Sequence, residues 1–178
     1  MIEEIEQLKQ NMFSSDLDLV KSSAYKLGEI GGMDITDFMI SLLDADNSAI
    51  RDYAALALEM IGDNKAVEPL FKSIFKNPNY NGTMAFALES LDCSNHLKSV
   101  FRILFAESYE AKISAASILE TQTFDFSPQD LLEIKAMWDD CKLHPEKCLE
   151  IDDDDVKKDI QQLLDRFLNS LIQPAQMS

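Results

Sequence analysis

The side chains best suited to hold a metal or act as nucleophiles, three cysteines and two histidines, fall in two short runs. Cys141-x-x-His144-x-x-x-Cys148 has ligand-like spacing, and Cys93-x-x-His96 offers a second pair. Structural zinc takes four such ligands in a tetrahedral cage. Only three sit together here, so Cys141, His144 and Cys148 read as packing and loop chemistry, and no metal is expected. The run Asp152-Asp153-Asp154-Asp155 raises calcium. An EF-hand loop opening at Asp152 needs glycine at position six and glutamate at twelve, and those positions hold Lys157 and Leu163. The aspartates read instead as a solvated, acidic helix start, where negative charge meets the positive end of the helix dipole. Neither histidine has a serine or cysteine set beside it with a base and an orienting acid, and no glycine run forms a phosphate loop. The expectation is a chain with no catalytic residues and no cofactor.

The elements that position these groups are read from hydrophobic spacing. Ser48 to Ile74 is the clearest stretch. Ile50, Ala54, Ala57, Leu58 and Ile61 recur three or four apart, as one face of a helix does. Gly62-Asp63-Asn64 ends it, since glycine enters the left-handed region cheaply at a helix C-terminus. A second helix follows with Val67, Leu70, Phe71, Ile74 and Phe75 as its stripe and Pro69 in its first turn. Such a pair cannot bury its own apolar faces and needs a neighbour on each side.

The neighbours are in the sequence. Leu19, Ser23, Ala24, Leu27, Ile30 and Gly31 recur 31 positions later as Ile50, Ala54, Ala55, Leu58, Ile61 and Gly62. Ala85, Ala87, Leu88, Glu89 and Leu91 repeat Ala55, Ala57, Leu58, Glu59 and Ile61 at a spacing of 30, and Ile113 to Glu120 begins a fourth unit. The expected organisation is an N-terminal helix over 2–12, helix pairs over 16–46, 48–76, 83–106 and 110–140, an acidic loop over 141–155 and a capping helix over 156–172. Ser14, Ser15 or Asp16 caps the first pair, and Gln173 to Ser178 should fray. Repeats of about thirty residues built as helix pairs define an α-solenoid. The expected fold is therefore all-α: a single α-solenoid domain of about four helix pairs.

Ala24-x-x-Leu27-Gly28-x-Ile30-Gly31, and the run Leu58-Glu59-Met60-Ile61-Gly62-Asp63-Asn64-Lys65-Ala66-Val67-Glu68-Pro69-Leu70, resemble HEAT repeats, and are most similar to the short HEAT-like repeats of phycocyanobilin lyases. The resemblance spans roughly residues 16–140. It implies a stack whose second helices line a concave, partner-binding face, and it brings two enzymatic expectations: a subunit attaching a bilin to cysteine, and a HEAT-like DNA glycosylase.

Charge ranks these expectations. The net charge is −16, with −9 over residues 1–64, +1 over 65–112 and −8 over 113–178. A field of that sign repels phosphate backbones and draws in cationic partners, which disfavours direct nucleic-acid binding and the glycosylase. The second helices place Asp37, Asp44, Glu68, Lys72, Lys76, Lys98, Arg102, Glu133 and Trp138 where a partner would meet them, with the four cations as a basic stripe between acidic ends. Trp138, like Phe124 and Phe126, is either cap packing or an aromatic anchor. The acidic start Met1 to Glu6 lacks the features of a signal peptide, and no apolar run approaches the ~20 residues of a membrane span. With an odd number of cysteines, the expectation is a reduced, cytoplasmic protein. Its working role is expected to be binding a basic protein, in the most concrete form as the immunity partner of a secreted nuclease toxin.

Overall fold

The computed structural model describes residues 2–149, 151 and 153–170, and all regular structure among them is helical, with no strand. The chain clusters into two compact units, residues 1–92 and 93–178, so the third expected helix pair is divided between them. Among the described residues, no helix is long and apolar enough to cross a membrane.

The first unit holds α1 (Ile2–Asn11), α2 (Leu17–Ile30), α3 (Met33–Leu42), α4 (Ser48–Ile61), α5 (Val67–Lys76) and α6 (Gly82–Ala87). The first helix of each pair packs on the first helix of the next: α2 on α4, and α4 on α6, with α1 against α2. Asp16 is the cap of α2, accepting from the N–H groups of Asp18 and Leu19. That start sets the register, so Val20 turns inward beside Ala24 and Leu27, while Leu19 is 39% exposed rather than part of the inner face. Ile30, also expected inside, is left outside by the turn at Gly31. Gly62 ends α4 at φ 70°, as its place after Ile61 predicts. Gly28 has another task. A Cβ there would sit 3.2 Å from Met60 Cβ and 3.3 Å from Ala57 Cα, so its absence lets α2 and α4 approach closely. Helix α6 is shorter than expected. Leu88 to Ser90 tighten into a 3-10 turn and Leu91 leaves in extended conformation, which keeps its side chain buried.

The second unit holds α7 (Leu97–Ala106), α8 (Tyr109–Thr121), α9 (Pro128–Leu143) and α10 (Asp154–Ser170). Helix α9 opens on a capping box between Ser127 and Asp130 and runs one turn into the expected loop. Pro145 then allows only a 3-10 turn. Asp153 Oδ1 accepts from the Asp155 N–H, 2.8 Å, and starts α10 two residues ahead of expectation. Ile160, Leu163 and Leu164 bury the inner face of α10, and Phe167 meets Phe101, Phe124 and Phe126 edge-on. Phe124 and Phe126 are thus packed beneath the capping helix. Its expected continuation through Leu171 and Ile172, the end Gln173 to Ser178, and Asp152 of the aspartate run lie outside the described residues.

One device recurs at the helix junctions. The carbonyls that end a second helix lack intrahelical donors, and a polar side chain at the start of the following first helix reaches back to them. Arg51 Nη1 donates to the carbonyls of Ala45 (2.7 Å) and Asp46 (3.0 Å) after α3. Asn81 Nδ2 donates to Ile74 O of α5 at 3.4 Å, and Lys112 Nζ to Leu104 O of α7 at 3.2 Å. The three donors are spaced 30 and 31 apart and all are buried. An isosteric apolar replacement of Arg51 leaves the Ala45 and Asp46 carbonyls without this donor, at a cost of about 1–3 kcal/mol, whereas the Ile74 carbonyl keeps the Asn77 N–H at 3.2 Å when Asn81 is replaced. Arg51→Met is therefore expected to lower the unfolding free energy by about that amount in urea titrations followed by circular dichroism; an unchanged midpoint would refute the role.

Candidate protein-binding surface

The nine residues expected to meet a partner lie in both units. In the first, α3 and α5 are laced together along their outer edges. Ser73 Oγ, buried, donates to Leu43 O at 2.7 Å. Lys76 donates to Asp44 at 2.7 Å, and Lys65, at the start of this helix pair's second half, pairs with Asp37. Lys9 of α1 reaches Asp34 and also sits over the Phe38 ring, 5.5 Å from its centre. The hydrogen bond from Lys76, reinforced by the field of Lys72, holds the Asp44 carboxyl below the usual carboxylate range. Between α3 and α5 lies a groove of about 310 Å³ lined by Ile40, Leu43, Asp44, Glu68, Pro69, Lys72 and Ser73. Its charged groups, Asp44 and Glu68 against Lys72 with Lys76 alongside, come close to cancelling.

In the second unit Lys98 lies between two carboxylates of α9, Asp130 at 3.2 Å and Glu133 at 2.9 Å. Glu133 first, then Asp130, raise the Lys98 ammonium's affinity for its proton. Asp130 is held down to about 2, first by the Ser127 hydroxyl and backbone N–H and then by Lys98. Arg102 borders a separate groove of about 400 Å³ with Phe105, Met137, Asp140 and Lys147. The expected basic stripe is therefore not a row of bare cations. Lys76 and Lys98 are each engaged by carboxylates of a neighbouring helix, and the stripe's members divide between two units.

Trp138 requires a correction. It is 1% exposed, its ring is 5.1 Å from Phe105, and its Nε1–H donates to Gln161 Oε1 at 2.7 Å. Satisfied at its polar end and enclosed elsewhere, it anchors the core of the second unit and offers nothing to a partner. The reduced-thiol reading is corrected too. Cys141, on the last turn of α9, and Cys148 form a disulfide with Cα atoms 6.1 Å apart, bridging the turn at Pro145. Their sulfurs are joined to each other and are not free thiolates. Cys93 is buried and lies outside the disulfide, and among the described residues no group of His, Cys, Asp or Glu is arranged to hold a metal.

The sequence reading passed over Arg51, Asn81 and Lys112. Their common register in the repeat was the available signal, hidden because arginine, asparagine and lysine share no chemical class beyond donating hydrogen bonds. It also passed over the first-helix side of the first unit, where Tyr25, Met60 and Phe86 are exposed. Compared with protein-family models and with curated proteins, the chain matches none.

Asp130 gives a pH test. Its folded value near 2 lies below the ordinary 3.8, so it stabilises the fold above about pH 4, and that contribution is lost as pH falls through about 2. Asp130→Asn is expected to melt below the wild type at neutral pH, with the gap closing between about pH 4 and pH 2. A gap independent of pH would show that the carboxylate charge contributes nothing there.

Proposed function

We propose that the chain is a non-catalytic binding module, a HEAT-like stack of helix pairs whose partner is a basic protein. The reading is supported most by charge placement. Sixteen negative charges stand in excess over the whole chain, while cations on the second helices, Lys76 and Lys98 above all, are already held by carboxylates of their own unit. The field left over for a partner is acidic, and such a field accelerates encounter with a cationic surface. The stacking of α2, α4 and α6 supports the repeat reading, because it offers an extended face instead of an enclosed site.

In its most concrete form the module neutralises a basic toxin, occupying the groove in which a nuclease would hold phosphates. A phosphate-tracking role for the module itself is disfavoured by the same pairing, since tracking nucleic acid needs cations released from carboxylates.

Affinity capture with the full chain, washed at about 50 mM and about 500 mM salt, tests the proposal. Screening at the higher concentration shortens the Debye length severalfold. Capture of basic proteins that elute with salt is the expected result. Recovery of acidic or neutral proteins alone, insensitive to salt, would overturn it.

A further inference from the structure

On the second-helix side of the first unit, Asp34, Asp37 and Asp44 are each bridged by a lysine. Around the groove between α3 and α5 the charges nearly balance. The first helices differ. Counting outward along α2, Asp18, Ser22, Tyr25 and Glu29 fall on the side opposite the buried Val20, Ala24 and Leu27. On α4 the outward positions are Asp52, Leu56, Glu59 and Met60, and on α6 and its following turn they are Thr83, Phe86 and Glu89.

Two close approaches make these positions one surface. Met60 lies against Gly28 of α2, one turn beyond Tyr25. Helix α6 packs on α4, with Thr83, one turn before Phe86, beside the Asp52 carboxyl and partly offsetting the rise in its pKa that burial causes. Along this surface Tyr25, Met60 and Phe86 are 39%, 38% and 49% exposed, and the half-buried Leu56, one turn before Met60, widens the apolar strip on α4. An exposed apolar row crossing three adjacent helices is uncommon on a surface with no partner. Carboxylates flank it on α2, α4 and the turn after α6, while the cations of α2, Lys21 and Lys26, stand at the two edges of that helix's outward face.

We propose that this first-helix face of the first unit, the row Tyr25–Met60–Phe86 with its flanking carboxylates, docks a basic amphipathic helix of a partner protein. The apolar stripe of such a helix would lie across the row, and its lysines or arginines would project over Glu29, Asp52 and Glu59. Complementarity excludes an acidic or purely apolar occupant, since each would leave the carboxylates desolvated without a counter-charge. This inference rests on the binding-module reading and places its working face on the first helices instead of the second.

The test uses the full chain and a fluorescein-labelled synthetic 18-residue helix with leucine on one face and lysine on the other, followed by anisotropy. The same peptide with glutamate for lysine is the control. The wild type is expected to bind the lysine peptide and not the glutamate peptide. The double variant Tyr25→Ser/Phe86→Ser should weaken binding at least tenfold, and Glu29→Gln/Glu59→Gln severalfold with a shallower salt dependence. The second-helix pair Asp37→Asn/Glu68→Gln should stay within twofold. All substituted side chains are surface-exposed or half-exposed, and melting curves confirm that each variant folds. Binding lost on the second-helix variants and kept on the first-helix ones would overturn the location while leaving the basic-partner reading standing. Equal binding of the glutamate peptide, or no binding of the lysine peptide to wild type, would overturn both.

Discussion

A helix pair that packs between other helices must bury the carbonyls at the end of its second helix, where no intrahelical donor exists for them. The rest of this structure depends on how that need is met. Arg51 and Lys112 each supply a donor from the next element in the chain, and Asn81 adds a second donor to the Ile74 carbonyl, which also accepts from the Asn77 N–H. With the polar ends satisfied, the apolar faces are free to close: Val20, Ala24 and Leu27 on one side, Ala54, Leu58 and Leu70 on the other, all essentially without solvent exposure. The long side chains of Arg51 and Lys112 add packing along their own methylene stems. Satisfaction of the backbone and closure of the core are thus the same event at each junction.

Charge is arranged by a similar local economy. Where second helices lie side by side, lysines and carboxylates are set at matching heights and bond across the gap: Lys76 to Asp44, Lys98 to Asp130 and Glu133. Exposed pairs of this kind add little stability individually. Their larger effect is electrostatic, because they remove the second helices' cations from the field that a partner would feel. What remains is an excess of carboxylate in both units, −9 over residues 1–92 and −7 over 93–178.

Much of the helical framework was legible because its signals are local. Gly62 after Ile61, Pro128 after Ser127, and the period of Val67 to Phe75 each act within a turn or two of chain, and the helices fall where these residues place them. The inner face of α2 was legible at Ser23, Ala24 and Leu27 and misread at its start, since Leu19 and Val20 are equally apolar and only the choice of Asp16 as cap separates them. The binding face was harder. Whether Lys76 stands bare or bonded depends on Asp44, 32 residues away, and no spacing within a helix reports that. Trp138 was ambiguous for the same reason, its enclosure coming from Phe105 on α7 and Gln161 on α10. The disulfide was missed by counting: three cysteines suggested thiols, and the odd one, Cys93, is simply buried apart.

The backward reach of Arg51, Asn81 and Lys112 gives the chain a direction that a symmetrical stack would lack. The ends met by Arg51 and Lys112 borrow a donor from what is synthesised after them. During synthesis a newly emerged pair therefore stays incomplete until the first turn of its successor leaves the ribosome. Trimming the protein from its C-terminal side strips donors from the helices that stay, whereas trimming from the other side removes acceptors and leaves only spare donors that can turn to water.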